Sequence, residues 1–336
     1  MLWFQKKVIL AYTGIYDIKE FIEFYKAYGI DKIFLYDNND INGEYFEEII
    51  EEYKNIGYVE INNWRGIKNP QIKIYIDCYK KNYEKFEWLI FNDIDEYIYL
   101  KGYNNRIKDF LNKSKFKKCE NIQLNWLLFT DNNLMYYHNA SLKLRFTEKD
   151  PKLKSRKISK YSNGKSILRG HIPNIKIKSV HCISNELKIC DGFGIERKTL
   201  KPDYKYFYFK HYYCKSTEEF IEKLNKGDVH FITKNQKVKF YFGYNKITYE
   251  KINYIEKKTG INLTNYKKKE RVVKKHKNKN IYLILQILYS IISQSSFIFY
   301  KIIYYKQIYY LNFKKYNCKT YKTVYFREKD KELLKY

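Results

Sequence analysis

The sequence is short of acid, has no Cys-x-x-Cys motif and is expected to open without a secretory leader. It holds 37 Asp and Glu against 65 Lys and Arg, a formal net charge of +28. Such a balance disfavours cationic partners and favours anionic ones: nucleic acid, an anionic membrane surface or phosphorylated substrates. The chain is enriched throughout in Lys, Ile, Asn and Tyr, with 38 Tyr, so the charge excess singles out no particular anion. The cysteines are Cys78, Cys119, Cys182, Cys190, Cys214 and Cys318, with no Cys-x-x-Cys among them. Their irregular spacing speaks against a disulfide framework and a structural zinc site, and fits a reducing compartment. The opening "MLWFQKKVILAY" is charged too soon for a secretory signal, so a cytoplasmic location is expected. Disorder is excluded as well, because hydrophobic residues make up 45% of the chain and recur with regular spacing.

What is present is alternation. "KKVILAY" (6–12), "DKIFLYDNN" (31–39), "YVEINNW" (58–64), "WLIFNDIDEYIYL" (88–100) and "ENIQLNWLLF" (120–129) read as strands. Between them, 17–29, 44–57, 69–86 and 105–115 read as helices. Asp17 with Glu20 suggests a capping box, and Gly29 a helix stop. This pattern predicts an α/β fold with a mostly parallel sheet flanked by helices. A compositional shift divides the chain into 1–265, a catalytic domain, and 266–336, a basic, aromatic-rich helical tail.

In an open α/β sheet, ligands bind beyond the carboxyl ends of the strands. Asp37 and Asn38 end one strand, and Asp93 and Asp95 end another. Side chains alternate along a strand, so Asp93 and Asp95 are expected to point to one side, roughly 6–7 Å apart, and to repel each other. A divalent cation with oxygen ligands, Mn2+ or Mg2+, would remove that cost.

The segments "IKEFIEFYKAYGIDKIFLYDNN", "QIKIYIDCYKKNYEKFEWLIFNDIDEYI" and "KHYYCKSTEEFIEKLNKGD", spread over roughly residues 7–232, resemble the glycosyltransferase family 92 and family 2-like group. The resemblance implies a GT-A nucleotide-sugar-binding fold and transfer of a sugar from a nucleotide-diphosphate donor, UDP-linked by preference. It implies Asp95 as main metal ligand, Asp93 beside it touching metal and sugar or ribose, and His211 completing the metal site. It implies Lys215 at the diphosphate and Asp37, with Asn38, at the base or ribose.

Other roles stay open. An inverting transferase needs a carboxylate to take the acceptor's proton, and Asp191 and Asp131 are the alternatives. Lys165 and Arg169, in "GKSILRGH", suit phosphates or a solvated basic loop, with His171 and His181 as pocket-lining residues. Gln71 contacts the donor or braces a loop, and Glu96 braces the acidic turn. The tail combines "YKKKERVVKKHKNKN" with the apolar "IYLILQILYSIISQSSFIFY". It is expected to lie on an anionic membrane surface, with a plain packing module and a membrane span as alternatives. The acceptor is then a surface glycan or a lipid-linked one. Competing with the whole reading are a basic nucleic-acid-binding protein, which leaves the carboxylates unexplained, and an inactive membrane-associated scaffold.

Overall fold

The computed structural model describes residues 15–38, 41, 45–67, 70–103, 106–151, 164–179, 181, 186–197, 202–225 and 233–267. The strand expected over 6–12 and the tail beyond 267, with its basic block and apolar run, lie outside the described residues.

The chain runs α1 (Ile15–Ala27), β1 (Ile33–Asp37), α2 (Glu47–Asn55), β2 (Val59–Asn63) and α3 (Gln71–Asn82). β1 and β2 pair in parallel, from Ile33 opposite Val59 to Asp37 opposite Asn63. α1 is amphipathic: Ile18, Phe21, Ile22 and Tyr25 share one face and are fully buried. Gly29 adopts φ 83° and ends the helix as expected. The capping box does not form. Asp17 pairs with Arg145 and Lys215 instead, and Glu20 accepts the Leu142 N–H at 2.9 Å.

The stretch 88–100 is two strands, not one: β3 (Trp88–Ile90) and β4 (Glu96–Leu100). The polar side chains between them close a local turn that competes with ladder pairing. Glu96 N–H donates to the Asp93 carbonyl at 3.0 Å, and Asp93 N–H donates to Glu96 Oε2 at 3.1 Å. The remaining elements are α4 (Ile107–Leu111), β5 (Asn121–Leu128), α5 (Leu142–Arg145), β6 (Gly164–Arg169), β7 (Ile189–Cys190), β8 (Phe207–His211), α6 (Thr217–Asn225), α7 (Lys234–Tyr244) and α8 (Tyr249–Thr259).

The larger sheet has the order β3-β6-β5-β8-β4, with β7 also on β5. The α/β class holds, and the sheet is mixed. β1–β2, β5–β8 and β5–β7 are parallel, whereas β3–β6, β5–β6 and β4–β8 are antiparallel. The antiparallel strands belong mainly to the second half, where long irregular connections replace the helical crossovers that enforce parallel pairing.

β3 and β4 are consecutive in sequence yet stand at opposite ends of that order. In a flat sheet they would be roughly 19 Å apart, four spacings of about 4.8 Å. The short link 91–95 contains a turn and has little reach to spare. The sheet therefore curls. Lys165 on β6 and Glu96 on β4 meet directly, Nζ to Oε2 at 3.6 Å, although β5 and β8 lie between their strands.

α1 packs on this sheet with Trp88, Ile90, Ile98, Leu124 and Phe209, all 1% exposed or less. Each such side chain contributes roughly 1.5–3 kcal/mol. A second cluster joins α3 to β1 and β3 through Tyr75, Phe34 and Leu89, and a third joins α6, α7 and α8 through Phe220, Tyr241 and Ile252. Among the described residues no helix is long and apolar enough to cross a membrane.

The cysteine reading needs correction. Cys119 and Cys190 form a disulfide across 71 residues, while Cys78 and Cys214 are free and buried. The pairing is tertiary: β7 lies along β5 with Ile122 opposite Cys190, and Cys119 lies two residues before the start of β5. Spacing along the chain carries no sign of such a pair, and cysteine usage ceases to argue for a reducing compartment.

Candidate active site

The site lies where the curl brings strand faces together. Paired residues share a face, and alternation fixes which ones. His211 stands opposite both Glu96 and Leu128, and Lys165 opposite Leu124. Trp126 falls between Leu124 and Leu128 on the same face of β5. One face thus carries Lys165, Trp126, His211 and Glu96 in a row across four strands. The Trp126 and His211 rings are 4.4 Å apart. Gly164 lets β6 approach here, because a Cβ on it would lie 2.3 Å from the Leu124 carbonyl oxygen.

The acidic turn closes over this face and is held from behind by α1. Tyr25 Oη donates to the Glu96 carbonyl at 3.0 Å and accepts from Ile98 N–H at 3.1 Å, while Asn92 Nδ2 donates to the same Glu96 carbonyl at 2.7 Å. Tyr212 N–H on the β8 side donates to the Asp95 carbonyl at 2.9 Å. These bonds anchor the backbone of the turn on both sides.

Three of those side chains converge. One ligand atom each from Asp95, Glu96 and His211 can be chosen so that all lie within 4.8 Å of one another. His211 Nε2 is 3.5 Å from Asp95 Oδ1, and Nδ1 is 3.8 Å from Glu96 Oε1. Glu96 Oε1 and His211 Nδ1 are buried and have no hydrogen-bond partner. Two carboxylates and an imidazole, with two atoms left unsatisfied, suit a divalent cation of the Mn2+ or Mg2+ kind.

Charge is balanced by two lysines. Lys165 is 1% exposed; its Nζ lies 2.9 Å from Asp93 Oδ2 and 3.1 Å from Tyr75 Oη. Lys223 Nζ, from the last turn of α6, lies 3.0 Å from Asp95 Oδ2. Burial opposes ionisation of Asp95, but Lys223, His211 and Lys215 outweigh it and hold the carboxyl well below its usual range. Glu96 goes the other way: burial raises it well above the ordinary value, Lys165 opposes this, and Asp93 and Asp95 reinforce it. Burial lowers His211 against the pull of Asp95, favouring the neutral imidazole that a metal requires.

Asp95 and His211 thus lie together, and the third member of their cluster is Glu96. Asp93 turns to Lys165. Lys165 therefore points inward at carboxylates, where a phosphate contact was expected. Lys215, at φ 46°, pairs with Asp17. Asp37 is buried against Arg65 Nε at 2.7 Å. Asn38, in the amide orientation its neighbours accept, donates to the Trp64 and Ile67 carbonyls at 3.2 Å each. Gln71 is the half-buried first residue of α3.

Both candidate bases are engaged in the fold. Asp131 is 1% exposed and accepts from Tyr241 Oη and Lys251 Nζ, each at 2.5 Å. Asp191 accepts Phe193 N–H, Ile195 N–H and Arg197 Nε, organising the loop after β7. Arg169 donates to the Cys119 and Phe116 carbonyls. His171 sits in a turn at φ 59°, and His181 packs edge-on to Trp126 at 4.9 Å.

The sequence model of glycosyltransferase family 92 matches residues 9–282. The chain belongs to glycosyltransferase family 92. As a member of that family it is a glycosyltransferase, and the acidic turn with its late histidine falls within the matched region. Remote likenesses to solved structures accompany this. One is S. aureus TarS 1-349 in complex with UDP, at 16% identity over 70% of this chain and 69% of that one, TM-score 0.35. The same protein in complex with UDP-GlcNAc gives 14% identity, 70% of each chain and TM-score 0.36. A glycosyltransferase involved in glycosylating the major capsid of PBCV-1 gives 16% identity, 36% and 51% coverage and TM-score 0.22. No curated protein matches the chain.

Glu96 was legible only as a brace, and Lys223, Tyr75 and Trp126 were not legible as site residues. The available signal was the register of "DEYIYL" against "FYFKH", which puts Glu96 opposite His211 once the two are paired.

Proposed function

We propose that this family 92 glycosyltransferase is metal-dependent and inverting, moving a sugar from a UDP-sugar to a glycan or lipid-linked acceptor. The observation that carries the reading is the convergence of Asp95, Glu96 and His211, with a partnerless buried atom on each of the last two. These three residues would hold Mn2+ or Mg2+. Such an ion supplies charge neutralisation for the departing diphosphate.

The chain's own residues do the rest. Asn92 and Tyr25 fix the turn backbone, so the ligands are oriented before any donor arrives. Lys165 offsets the charge of Asp93 and Glu96 and keeps two nearby carboxylates from repelling Asp95 out of place. Trp126 walls one side of His211 and limits water there. The lysine-rich segment beyond Tyr266 suits an anionic membrane carrying a lipid-linked acceptor.

Calorimetric titration of UDP with and without Mn2+, into the protein and into Asp95→Asn, tests this. Metal-dependent binding that disappears in the variant supports it. UDP binding indifferent to both metal and Asp95 refutes it. The anomer of the product, read by proton NMR, decides inversion against retention.

A further inference from the structure

Asp95 already holds a cation that belongs to the chain. Its Oδ1 faces His211, while its Oδ2 carries the Lys223 ammonium at 3.0 Å. The two lysines of the site differ in freedom. Lys165 is 1% exposed and bound between Asp93 and Tyr75, with no route outward. Lys223 is 34% exposed along its side chain, and its ammonium rides on the Tyr213 ring, 4.2 Å from the centroid. One lysine is fixed, and the other is tethered at the edge.

We propose that Lys223 is an internal counter-ion which a divalent cation must displace from Asp95, and that the displaced ammonium then pairs with the diphosphate of the incoming donor. The inference rests on the metal-dependent reading above. An ion held by Asp95, Glu96 and His211 would stand within a few ångströms of Nζ, and two cations that close repel strongly outside bulk water. The four-carbon stem of lysine is flexible and the exposed side is open, so the ammonium moves outward and keeps its stem on Tyr213. A diphosphate entering with the metal presents negative charge at the place the ammonium reaches. Free metal therefore meets a competitor that the metal–nucleotide pair converts into a ligand. Metal and nucleotide bind cooperatively, each strengthening the other by the same factor.

The test measures Mn2+ binding by the spin-resonance signal of the free ion, without nucleotide, in the full chain and in Lys223→Met and Lys223→Arg. UDP binding at saturating Mn2+ follows by calorimetry. Met keeps the stem and removes the charge; Arg keeps the charge, and thermal midpoints check that both variants fold. Lys223→Met is expected to bind Mn2+ alone about tenfold tighter or more, the scale on which one adjacent charge shifts a carboxylate's affinity for a cation. It is expected to bind UDP with Mn2+ more weakly than wild type, while Lys223→Arg stays near wild type in Mn2+ affinity. Equal or weaker Mn2+ binding by Lys223→Met overturns the proposal and leaves the metal reading standing. No Mn2+ binding to wild type or either variant, with or without UDP, overturns both.

Discussion

Glu96 and His211 face each other across the β4–β8 ladder, with His211 Nδ1 3.8 Å from Glu96 Oε1 and neither atom hydrogen-bonded. Burying two polar atoms in this state costs free energy unless something binds between or beside them. Asp95, one residue before Glu96, completes the set. Glu96→Gln keeps the shape and removes the charge. It is expected to weaken Mn2+ binding by roughly 10–100-fold, the range for perturbed metal surroundings. Mn2+ titration followed by tryptophan quenching checks this, since Trp126 adjoins His211. An unchanged Mn2+ affinity would remove Glu96 from the ligand set.

Asp131 lies in a buried ion pair with Lys251, and its replacement should show as lost stability. Asp131→Ala leaves the Lys251 ammonium, 1% exposed, without its carboxylate. Breaking a buried pair on one side costs roughly 3–5 kcal/mol. Lys251→Met combined with Asp131→Ala should cost less than Asp131→Ala alone. Urea unfolding measures both. A fully stable Asp131→Ala protein that has lost transfer activity would instead point to Asp131 as the base.

Glu219 predicts an acid-sensitive joint. Burial opposes its ionisation, but Lys215, Ser216 and Arg145 outweigh burial and hold the carboxyl below its ordinary 4.5. Its folded value is the lower one, so the stabilisation is complete above pH 4.5 and is lost as pH falls through the folded value. Glu219→Gln should lose roughly 1.5–3 kcal/mol at neutral pH, as expected for a charged hydrogen-bond group, and show a shallower decline below pH 4.5. Parallel pH–stability profiles that keep a constant gap would contradict this assignment.

The Cys119–Cys190 bond closes a loop of 71 residues. By loop entropy, Cys190→Ser should destabilise the fold by roughly 2–4 kcal/mol. Dithiothreitol should shift wild type and leave the variant unmoved. An equal response of both proteins to reductant would show that this pair is not bonded in solution.

The early elements were readable because each depends on neighbours along the chain. Ile18, Phe21, Ile22 and Tyr25 announce α1 by spacing alone, and Gly29 announces its end. The acidic turn was readable as chemistry but not as geometry. "WLIFNDIDEYIYL" reads as one strand until the turn bonds between Asp93 and Glu96 are known. On an unbroken strand Asp93 would share a face with Asp95. The turn hands Asp93 to Lys165 and turns Glu96 toward His211. Lys165 shows the same limit: nothing in "GKSILRGH" says that the sheet curls and sets this ammonium against Asp93 and Glu96.

By itself the sequence determined the periodic segments, the family and the kinds of group available: an acidic tetrad, a late histidine and an excess of lysine. These are short-range properties, set by residue type and spacing. Tertiary structure decided which groups meet. A strand's side chains alternate, so a single step of register exchanges one face for the other. The curl of the sheet, forced by the short link between β3 and β4, then decides which faces meet. On that basis Asp95, Glu96 and His211 came together, while Asp131, Asp191 and Lys215 came to lie in ion pairs with Lys251, Arg197 and Asp17.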